Sequence, residues 1–460
     1  MKILLVRPAR IKQAITLGEF MFSEPLGLEM VYAVLAPFHQ VEIFDMMADT
    51  LELAAKLRSY HPDVVGITSL CIDVNAVLEI AASVKKHDAQ IVTVVGGTQA
   101  FLRPASFFSE AVDYVFRFTT KQNLTDFFTW LESQVTTLDR AQLPKIPGVC
   151  ARAGGFAGSD AVGHNEYIMP DRASTSQYRQ AYSYFGYRPS ALIGTAQGCS
   201  KRCSFCLRWR IEGGKEEYLS MDFVRKDLLN APEPTVMIYD NDFLHNGPRV
   251  EEFCQMLERA EIRKNFLCYA SVESVLASSE RIQRFHQLGL QAVLLGYETF
   301  SDAELASYGK KSTQADNLAA AALLRENGVD VWASLMLHPA WDQDDFKKLR
   351  RHLRQLRPQI TSMCPLTPFP NLPLFRQYRD NLLVAEDDYE QWSFGQLTIR
   401  PSALSTRQYY REMLITNLYI NLYMNNLPYI IRKFGLASVW RLVKGSVKVF
   451  FRYVKLMRAS

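Results

Sequence analysis

Apolar and polar positions along the first third of the chain fall into short runs whose period switches at regular intervals. Lys2 to Val6, Val41 to Phe44, Val64 to Thr68, Ile91 to Val95 and Tyr114 to Phe116 read as apolar strands. Leu26 to Leu35, Leu51 to Ser59, Val74 to Lys86 and Asn123 to Leu131 carry helical spacing between them. This alternation predicts an α/β unit over residues 1–135, a doubly wound parallel sheet with helices on both faces. Ligands of such sheets sit beyond the carboxyl ends of the strands. Three turns fall there: Arg7-Pro8-Ala9, Ser69-Leu70-Cys71 and Gly96-Gly97-Thr98. The paired glycines let a backbone approach a flat ligand closely, or simply form a tight strand-to-helix turn.

Residues 136–190 read as a connector, broken by Pro144, Pro147, Gly154, Gly155, Gly158 and Gly163, with a short hairpin expected at Gly148 to Arg152. Its tyrosine-rich stretch, Tyr178 to Tyr187, reads as packing for an interdomain seam, or as a cover over a flat cofactor. From Ala191 the alternation resumes, with strands around Ala191, Val236, Phe266, Ala292, Val331 and Ile360 and helices between them. Ser220 suits a helix cap and Pro248 a first helical turn. Six strand–helix units over residues 191–400 predict a partial (β/α)6 barrel with its working face at the carboxyl ends of the strands.

Residues 401–460 change character and predict C-terminal helices. Met413 to Ile431 carries no charge and is long enough to raise a membrane span. Asn417, Asn421 and Asn425 recur every four residues, however, and a polar stripe fits a packed or interfacial helix better. Beyond it, Arg441, Lys444, Lys448, Arg452, Lys455 and Arg458 alternate with Trp440, Val443, Val447, Phe450, Phe451 and other apolar positions. That pattern over residues 439–460 suits an anionic membrane surface, or a helix docked on the protein with its basic face in water.

Charge sharpens this division. The net charge is +4, yet residues 429–460 hold eight basic and no acidic side chains, leaving −4 for the rest. A uniformly basic nucleic-acid binder is not indicated. Met1 to Val6 already reads as a strand rather than a secretory leader, and eight cysteines in 460 residues do not make a secreted scaffold. The expectation is a cytoplasmic protein, with contact at the inner face of the membrane as one reading of the tail.

The chemistry concentrates at Cys199, Cys203 and Cys206, a Cys-x3-Cys-x2-Cys cluster directly after the first strand of the barrel. A closed structural zinc site takes four ligands, whereas an iron–sulfur cube held by three cysteines keeps one iron open. A distant histidine could complete a zinc site, but the closest downstream is His245. Cys71, Cys150, Cys254, Cys268 and Cys364 stand singly and read as small buried hydrophobes.

With Phe205 before its last cysteine, the cluster resembles the signature of the radical S-adenosylmethionine (SAM) enzymes. The resemblance extends to the first unit: Pro25-Leu-Gly27-Leu, Val65-Gly-Ile-Thr-Ser69-Leu and Val95-Gly-Gly-x-x-Ala100 followed by Pro104 look like the Rossmann-like cobalamin-binding domain preceding many radical SAM cores. By that similarity Ser69, Leu70, Gly96 and Gly97 line the corrin or its nucleotide loop. The Asp-x-His-x-x-Gly motif that supplies a lower cobalt ligand in many B12 proteins is missing from the chain. The resemblance implies a [4Fe-4S] cluster on Cys199, Cys203 and Cys206, with Asp240, Asn241, Asp242, Ser271 and Glu298 positioning SAM. Glu273 is a weaker candidate, since many relatives carry arginine there. His338 at a strand end reads first as structural, and Asp342, Asp344 and Asp345 as stabilisers of a helix start. Leu335-Met-Leu-His-Pro339 departs from the family's Gly-x-Pro-Gly-Glu, while Thr367-Pro-Phe-Pro370-Asn371 resembles its Thr-Pro-x-Pro-Gly turn.

The family implication is methylation of an unactivated carbon: cobalt takes a methyl group from one SAM, and a 5′-deoxyadenosyl radical from a second removes a substrate hydrogen. Ring contraction, ring closure and oxidation run on the same scaffold, and a non-catalytic cobalamin or metal sensor is the alternative of a different class. The expected partners are a small-molecule, lipid-like or tetrapyrrole substrate and an external electron donor, with no nucleic acid.

Overall fold

The computed structural model describes residues 1–9, 21–134, 144–152, 163–424 and 427–459. The first sheet comprises β1 (Lys2–Arg7), β2 (Gln40–Asp45), β3 (Val64–Thr68), β4 (Val92–Gly96), β5 (Tyr114–Phe116) and β6 (Val149–Ala151), in the order β2-β1-β3-β4-β5-β6. Strands β1 to β5 run parallel. Ile3 and Leu5 enter a core shared with helices Leu26–Leu35 and Lys121–Ser133, while Leu4 and Val6 enter one shared with Leu53–Tyr60 and Val74–His87. Burial on both faces is why these strands read as continuous apolar runs. The order reverses between β1 and β3, placing the binding crevice beyond their carboxyl ends.

The hairpin expected at Gly148 to Arg152 is replaced by β6, which pairs antiparallel with β5 (Phe116 opposite Val149, Val115 opposite Cys150). An isolated hairpin would leave Val149, Cys150 and Ala151 exposed, whereas the edge of β5 pairs their backbone and buries all three. Gly154, Gly155 and Gly158 lie outside the described residues.

The second sheet begins with β7 (Ser190–Ile193), followed by the short antiparallel pair β8 (Ala196–Gln197) and β9 (Glu217–Tyr218). It continues through β10 (Thr235–Ile238), β11 (Asn265–Ala270), β12 (Leu290–Glu298), β13 (Asp330–Leu337) and β14 (Ile360–Pro365). Its order is β14-β13-β12-β11-β10-β7, all parallel, with β7 and β14 at the two edges. Helix Met221–Asn230 is capped by Ser220, whose Oγ accepts from Phe223 N at 3.2 Å, and Pro248 sits in the first turn of Gly247–Arg259.

The tyrosine-rich stretch serves the seam and the barrel interior. Tyr178 and Tyr182 donate to Asp49 (2.6 Å) and Asp45 (3.0 Å) of the first unit. Tyr184, Phe185 and Tyr187 fill the space lined by Met237, Leu267, Ala292 and Trp332. Beneath them lies a buried charge network. Arg172 holds Glu24 (2.5 Å) and Asp227 (2.9 Å), and Arg179 holds Glu24 (2.6 Å), Glu29 (3.1 Å) and Glu233. Four carboxyl groups face two guanidinium groups, so burial and the neighbouring Glu24 push Glu29 towards its neutral form. These ties join the helix start of the first unit, the connector and the barrel.

The uncharged stretch of the tail is not one helix. Helix Thr406–Tyr419 loosens into a wide turn, Ile420–Met424, before helices Leu427–Phe434 and Leu436–Ala459. Asn421 Nδ2 donates to the Asn417 carbonyl (2.9 Å) and side chain (2.6 Å), while Asn425 lies outside the described residues. Among the described residues no helix is long and apolar enough to cross a membrane.

Candidate active site

Cys199, Cys203 and Cys206 lie on the loop that β8 and β9 close at its base. Gly198 has a φ of +85°, and a Cβ there would sit 1.9 Å from the Lys215 carbonyl oxygen, so only glycine lets the two arms meet. Cys199 N donates to the Gly213 carbonyl (3.1 Å), and the Cys203 carbonyl accepts from Cys206 N (3.2 Å) and Trp209 Nε1 (3.1 Å). Burial raises all three thiols, Cys199 to about 11. Among the described residues no three His, Cys, Asp or Glu side chains converge to hold a single metal ion. Three cysteines held on one loop fit a cube, in which each thiolate would bind a different iron.

Around it stand the ends of the barrel strands. Asp240 is committed to the fold: its carboxylate accepts from Thr195 N (2.7 Å) and Thr195 Oγ1 (2.5 Å), and burial raises it to about 6. Asn241 stitches the cysteine loop, donating to the Gly198 carbonyl (2.8 Å) and Glu212 (2.8 Å) and accepting from Arg208 Nε (2.6 Å). Asp242, Ser271 and Glu273 converge on one cation. Lys201 Nζ lies 2.8 Å from Asp242, 3.2 Å from Glu273 and against Ser271 Oγ. An ammonium group is therefore what these acceptors hold in this structure, which fits the methionine ammonium of SAM. Burial alone would raise Glu273, but Lys201 outweighs it and holds the carboxyl at about 2. Beside Asp240, Asn241 and Asp242, on the side of Thr195, Tyr218 and Arg249, the remaining space is about 10 Å³, about one water.

Glu298 has a φ of +59°, at a bulge where β12 slips against β13. A bulky residue held left-handed stores strain of about 1–3 kcal/mol, and such residues gather at functional sites. Its carboxylate, nearly buried, pairs with Lys310 at 2.8 Å, and Lys310 also donates to the Gly296 carbonyl (3.2 Å). A Cβ at Gly296 would meet Glu298 Oε1 at 2.3 Å, so a larger residue there would push that carboxylate from its place beside Lys310. His338 is held in place: Nδ1 accepts from Ala340 N (3.2 Å), leaving Nε2 to donate to the Tyr378 hydroxyl (3.1 Å). Asp342 caps helix Gln343–Leu356 through Asp344 N (2.8 Å) and Asp345 N (2.9 Å), as expected.

Spacing along the chain did not identify Lys201, Lys310 or Arg208. The usable signal was the expectation itself, since acidic groups at buried strand ends require cations.

At the first sheet, Ser69 and the paired glycines form one turn. Ser69 Oγ donates to the Gly96 carbonyl (3.0 Å), and Gly97, with φ +100°, would bring a Cβ within 2.7 Å of the Ser69 backbone. Leu70 projects outward, half exposed, while its N–H donates to Asp73 (3.1 Å). A glycine cradle beside an exposed apolar side chain fits a flat macrocycle.

The two working edges face each other. Helix Thr98–Leu102, after Gly97, touches helix Arg208–Ile211, after Cys206. Phe101 stacks on His164 at 6.0 Å, and His164 Nδ1 lies 3.2 Å from the Ile211 carbonyl. Asn371, in the turn after β14, donates to the Leu102 carbonyl (3.0 Å), and Cys71 packs against the Phe369–Trp392 cluster. A cleft of about 680 Å³ opens at this junction, lined by Thr120, His164, Gln197, Arg202 and Lys215 among others, in the size range of small-molecule sites.

Comparison with known proteins agrees with this geometry. Residues 193–353 match the radical SAM superfamily and residues 21–126 the B12 binding domain. The chain is 24% identical over 422 residues to hopanoid C-3 methylase of Methylococcus capsulatus, covering 90% of this chain and 79% of that one. It is 24% identical over 436 residues to the anaerobic magnesium-protoporphyrin IX monomethyl ester cyclase of Cereibacter sphaeroides, covering 91% and 69%. In fold it resembles the cobalamin-dependent S-adenosylmethionine radical enzyme OxsB with aqua-cobalamin and SAM bound (TM-score 0.71, 16% identity, 98% of this chain and 72% of that one). It also resembles the radical SAM methyltransferase TsrM from Kitasatospora setae (TM-score 0.68, 14% identity, 100% and 99%). With both domain matches in one chain and their working edges apposed, the protein belongs to the cobalamin-dependent radical SAM enzymes, whose cofactors are a [4Fe-4S] cluster, SAM and cobalamin.

Proposed function

We propose that the enzyme transfers a methyl group to an unactivated carbon of a small-molecule substrate, with an apolar lipid-like or tetrapyrrole molecule the favoured class. The observation that carries this reading is the contact between helix Thr98–Leu102, which follows the glycine turn of the first sheet, and helix Arg208–Ile211, which follows the cysteine loop of the barrel. When bound, the cofactors supply a carbon radical able to remove hydrogen and a methyl group to replace it. The chain's part is positioning and exclusion of water. Cys199, Cys203 and Cys206 would hold the cluster, Asp242 and Ser271 with Glu273 the SAM ammonium, and Glu298 a ribose hydroxyl. Asp240 and Asn241 would act one step removed, fixing the loop. Ser69, Leu70, Gly96 and Gly97 would bear on the corrin. Hopanoid C-3 methylase among the relatives supports a lipid-like substrate, and with it a peripheral membrane contact through residues 439–460.

The test is anaerobic reconstitution with iron, sulfide and hydroxocobalamin, followed by SAM, dithionite and an apolar extract. A cluster spectrum, bound corrin, 5′-deoxyadenosine, S-adenosylhomocysteine and a methylated product are expected together. A product that gains a ring without gaining carbon would favour the second reading, ring closure, which the cyclase relative supports. Zinc in place of iron with no SAM cleavage would overturn both.

A further inference from the structure

Helix Leu436–Ala459 has two apolar faces, and among the described residues only one of them is covered. On the inner face Tyr453 is buried against Tyr410 (5.9 Å between rings) and Arg452 donates to Gln396 (3.2 Å). Leu442 packs in one cluster with Tyr187, Trp332 and Ile360, and Val449, Leu456 and Met457 pack against the outer core of the barrel. The inner face of the helix therefore packs on helices Thr406–Tyr419 and Leu427–Phe434 as well as on the barrel.

On the outer face, Leu436, Trp440, Val443, Val447, Phe450 and Phe451 stand at steps of three and four and share one sector of the helix. Leu436 is 72% exposed, Trp440 70% and Phe451 65%. This ridge runs for roughly 22 Å at 1.5 Å per residue. Lys444 and Lys455 flank it on one side and Arg458 extends it, all exposed. A ridge of this extent in water calls for a covering partner. Charge selects the partner: with eight basic and no acidic side chains over residues 429–460, a second copy seated on the same face would bring like charge against like. An anionic bilayer supplies both an apolar interior and opposite charge.

We propose that this outer ridge seats the enzyme in the interface of an anionic lipid bilayer, with the opposite face of the helix kept on the protein. The proposal rests on the reading of residues 439–460 as a membrane-contacting segment, and adds which face of the helix enters the lipid.

The full-length protein is sedimented with vesicles of phosphatidylcholine alone or with 30 mol% phosphatidylglycerol, and Trp440 emission is recorded. Binding to the anionic vesicles, weakened at least tenfold by salt, by Lys444→Glu with Lys455→Glu, and by Trp440→Ser with Phe451→Ser, is expected, with a blue shift of emission that the W440S change removes. Substitutions on the exposed face leave the inner packing intact, and circular dichroism with SAM cleavage in detergent-free buffer checks this. Anionic binding lost in the lysine variant but unchanged in the apolar one would overturn the ridge assignment while leaving the membrane contact. A dimer in light scattering that the apolar variant dissociates, or no vesicle binding at low salt, would overturn the proposal outright. None of these outcomes touches the methyl-transfer reading, which the product assay decides separately.

Discussion

At the carboxyl ends of β3 and β4 the turns are built by close backbone packing, whereas at the ends of β10, β11 and β12 they are built by paired charge. The first edge offers Ser69, Gly96 and Gly97 packed into one turn and a projecting Leu70, with the Asp73 carboxylate turned onto the Leu70 N–H. The second carries Asp242, Glu273 and Glu298 neutralised by Lys201 and Lys310. Under the proposed function one edge would take a large flat ligand by shape and the other the SAM zwitterion, whose ammonium would compete with Lys201. The difference predicts that lesions at the two edges separate cleanly.

The largest effect is expected from Cys203→Ala, which removes one of three thiolates from a loop that touches the first sheet only at its rim. Formation of 5′-deoxyadenosine should fall to background after reconstitution, while hydroxocobalamin binding, followed by its absorbance after gel filtration, stays within about twofold of the parent. Loss of both together would mean that the edges are one cooperative site.

Next in size comes the buried pair Glu298–Lys310. Removing one member of such a pair leaves the other charged without a partner and typically costs about 3–5 kcal/mol. Lys310→Met and Glu298→Gln should each lower the urea midpoint, and the double variant should recover most of the loss. SAM affinity, measured by equilibrium dialysis, should remain at least about tenfold weaker in the double variant, because Glu298 is proposed to bind the ribose rather than only to balance Lys310. Full recovery of affinity would reduce Glu298 to a structural role.

The backbone edge is tested by Gly97→Ala. The substitution places a Cβ 2.7 Å from the Ser69 backbone at φ +100°, so the turn must shift, at a cost of about 1–3 kcal/mol. Corrin affinity should drop about tenfold with SAM cleavage unchanged. An unaffected affinity would move the corrin away from this turn.

The legibility of the chain follows the same division. Both sheets were readable because their strands are buried on two faces and interrupted by helical spacing, and the cysteine loop because three residues of rare type stand close together. One backbone-built feature carried over as well, since Gly97, left-handed and tight against the Ser69 backbone, marks a place where no side chain fits. Features that depend on long-range partners were not readable. Nothing near Lys201 or Lys310 in sequence shows that they reach across to other strand ends, and nothing in Val149-Cys-Ala151 says which sheet edge it will join. The network of Arg172 and Arg179 with Glu24, Glu29, Asp227 and Glu233 was invisible for the same reason: each charge is ordinary alone, and only the fold removes water from all of them.

The smallest effect gives the finest distinction, because the two edges should respond to pH with opposite sign. Burial raises Asp73 above its ordinary range, with the Leu70 N–H only partly offsetting it. A carboxyl raised on folding contributes stability that is complete below its unfolded value and is lost as pH rises through the folded one. Glu273, held at about 2 by Lys201 against its burial, behaves inversely: its contribution is complete above about 4.5 and disappears as pH falls towards 2. Asp73→Asn, which keeps an acceptor for Leu70, should therefore leave the urea midpoint unchanged or raised at pH 7. Glu273→Gln should cost about 1 kcal/mol at pH 7, reduced by solvent screening at this partly exposed site, and less with each step down from pH 4.5. Parallel pH profiles for the two variants would mean that Lys201 does not hold Glu273 in solution, and that the charged edge stands open rather than self-neutralised before SAM arrives.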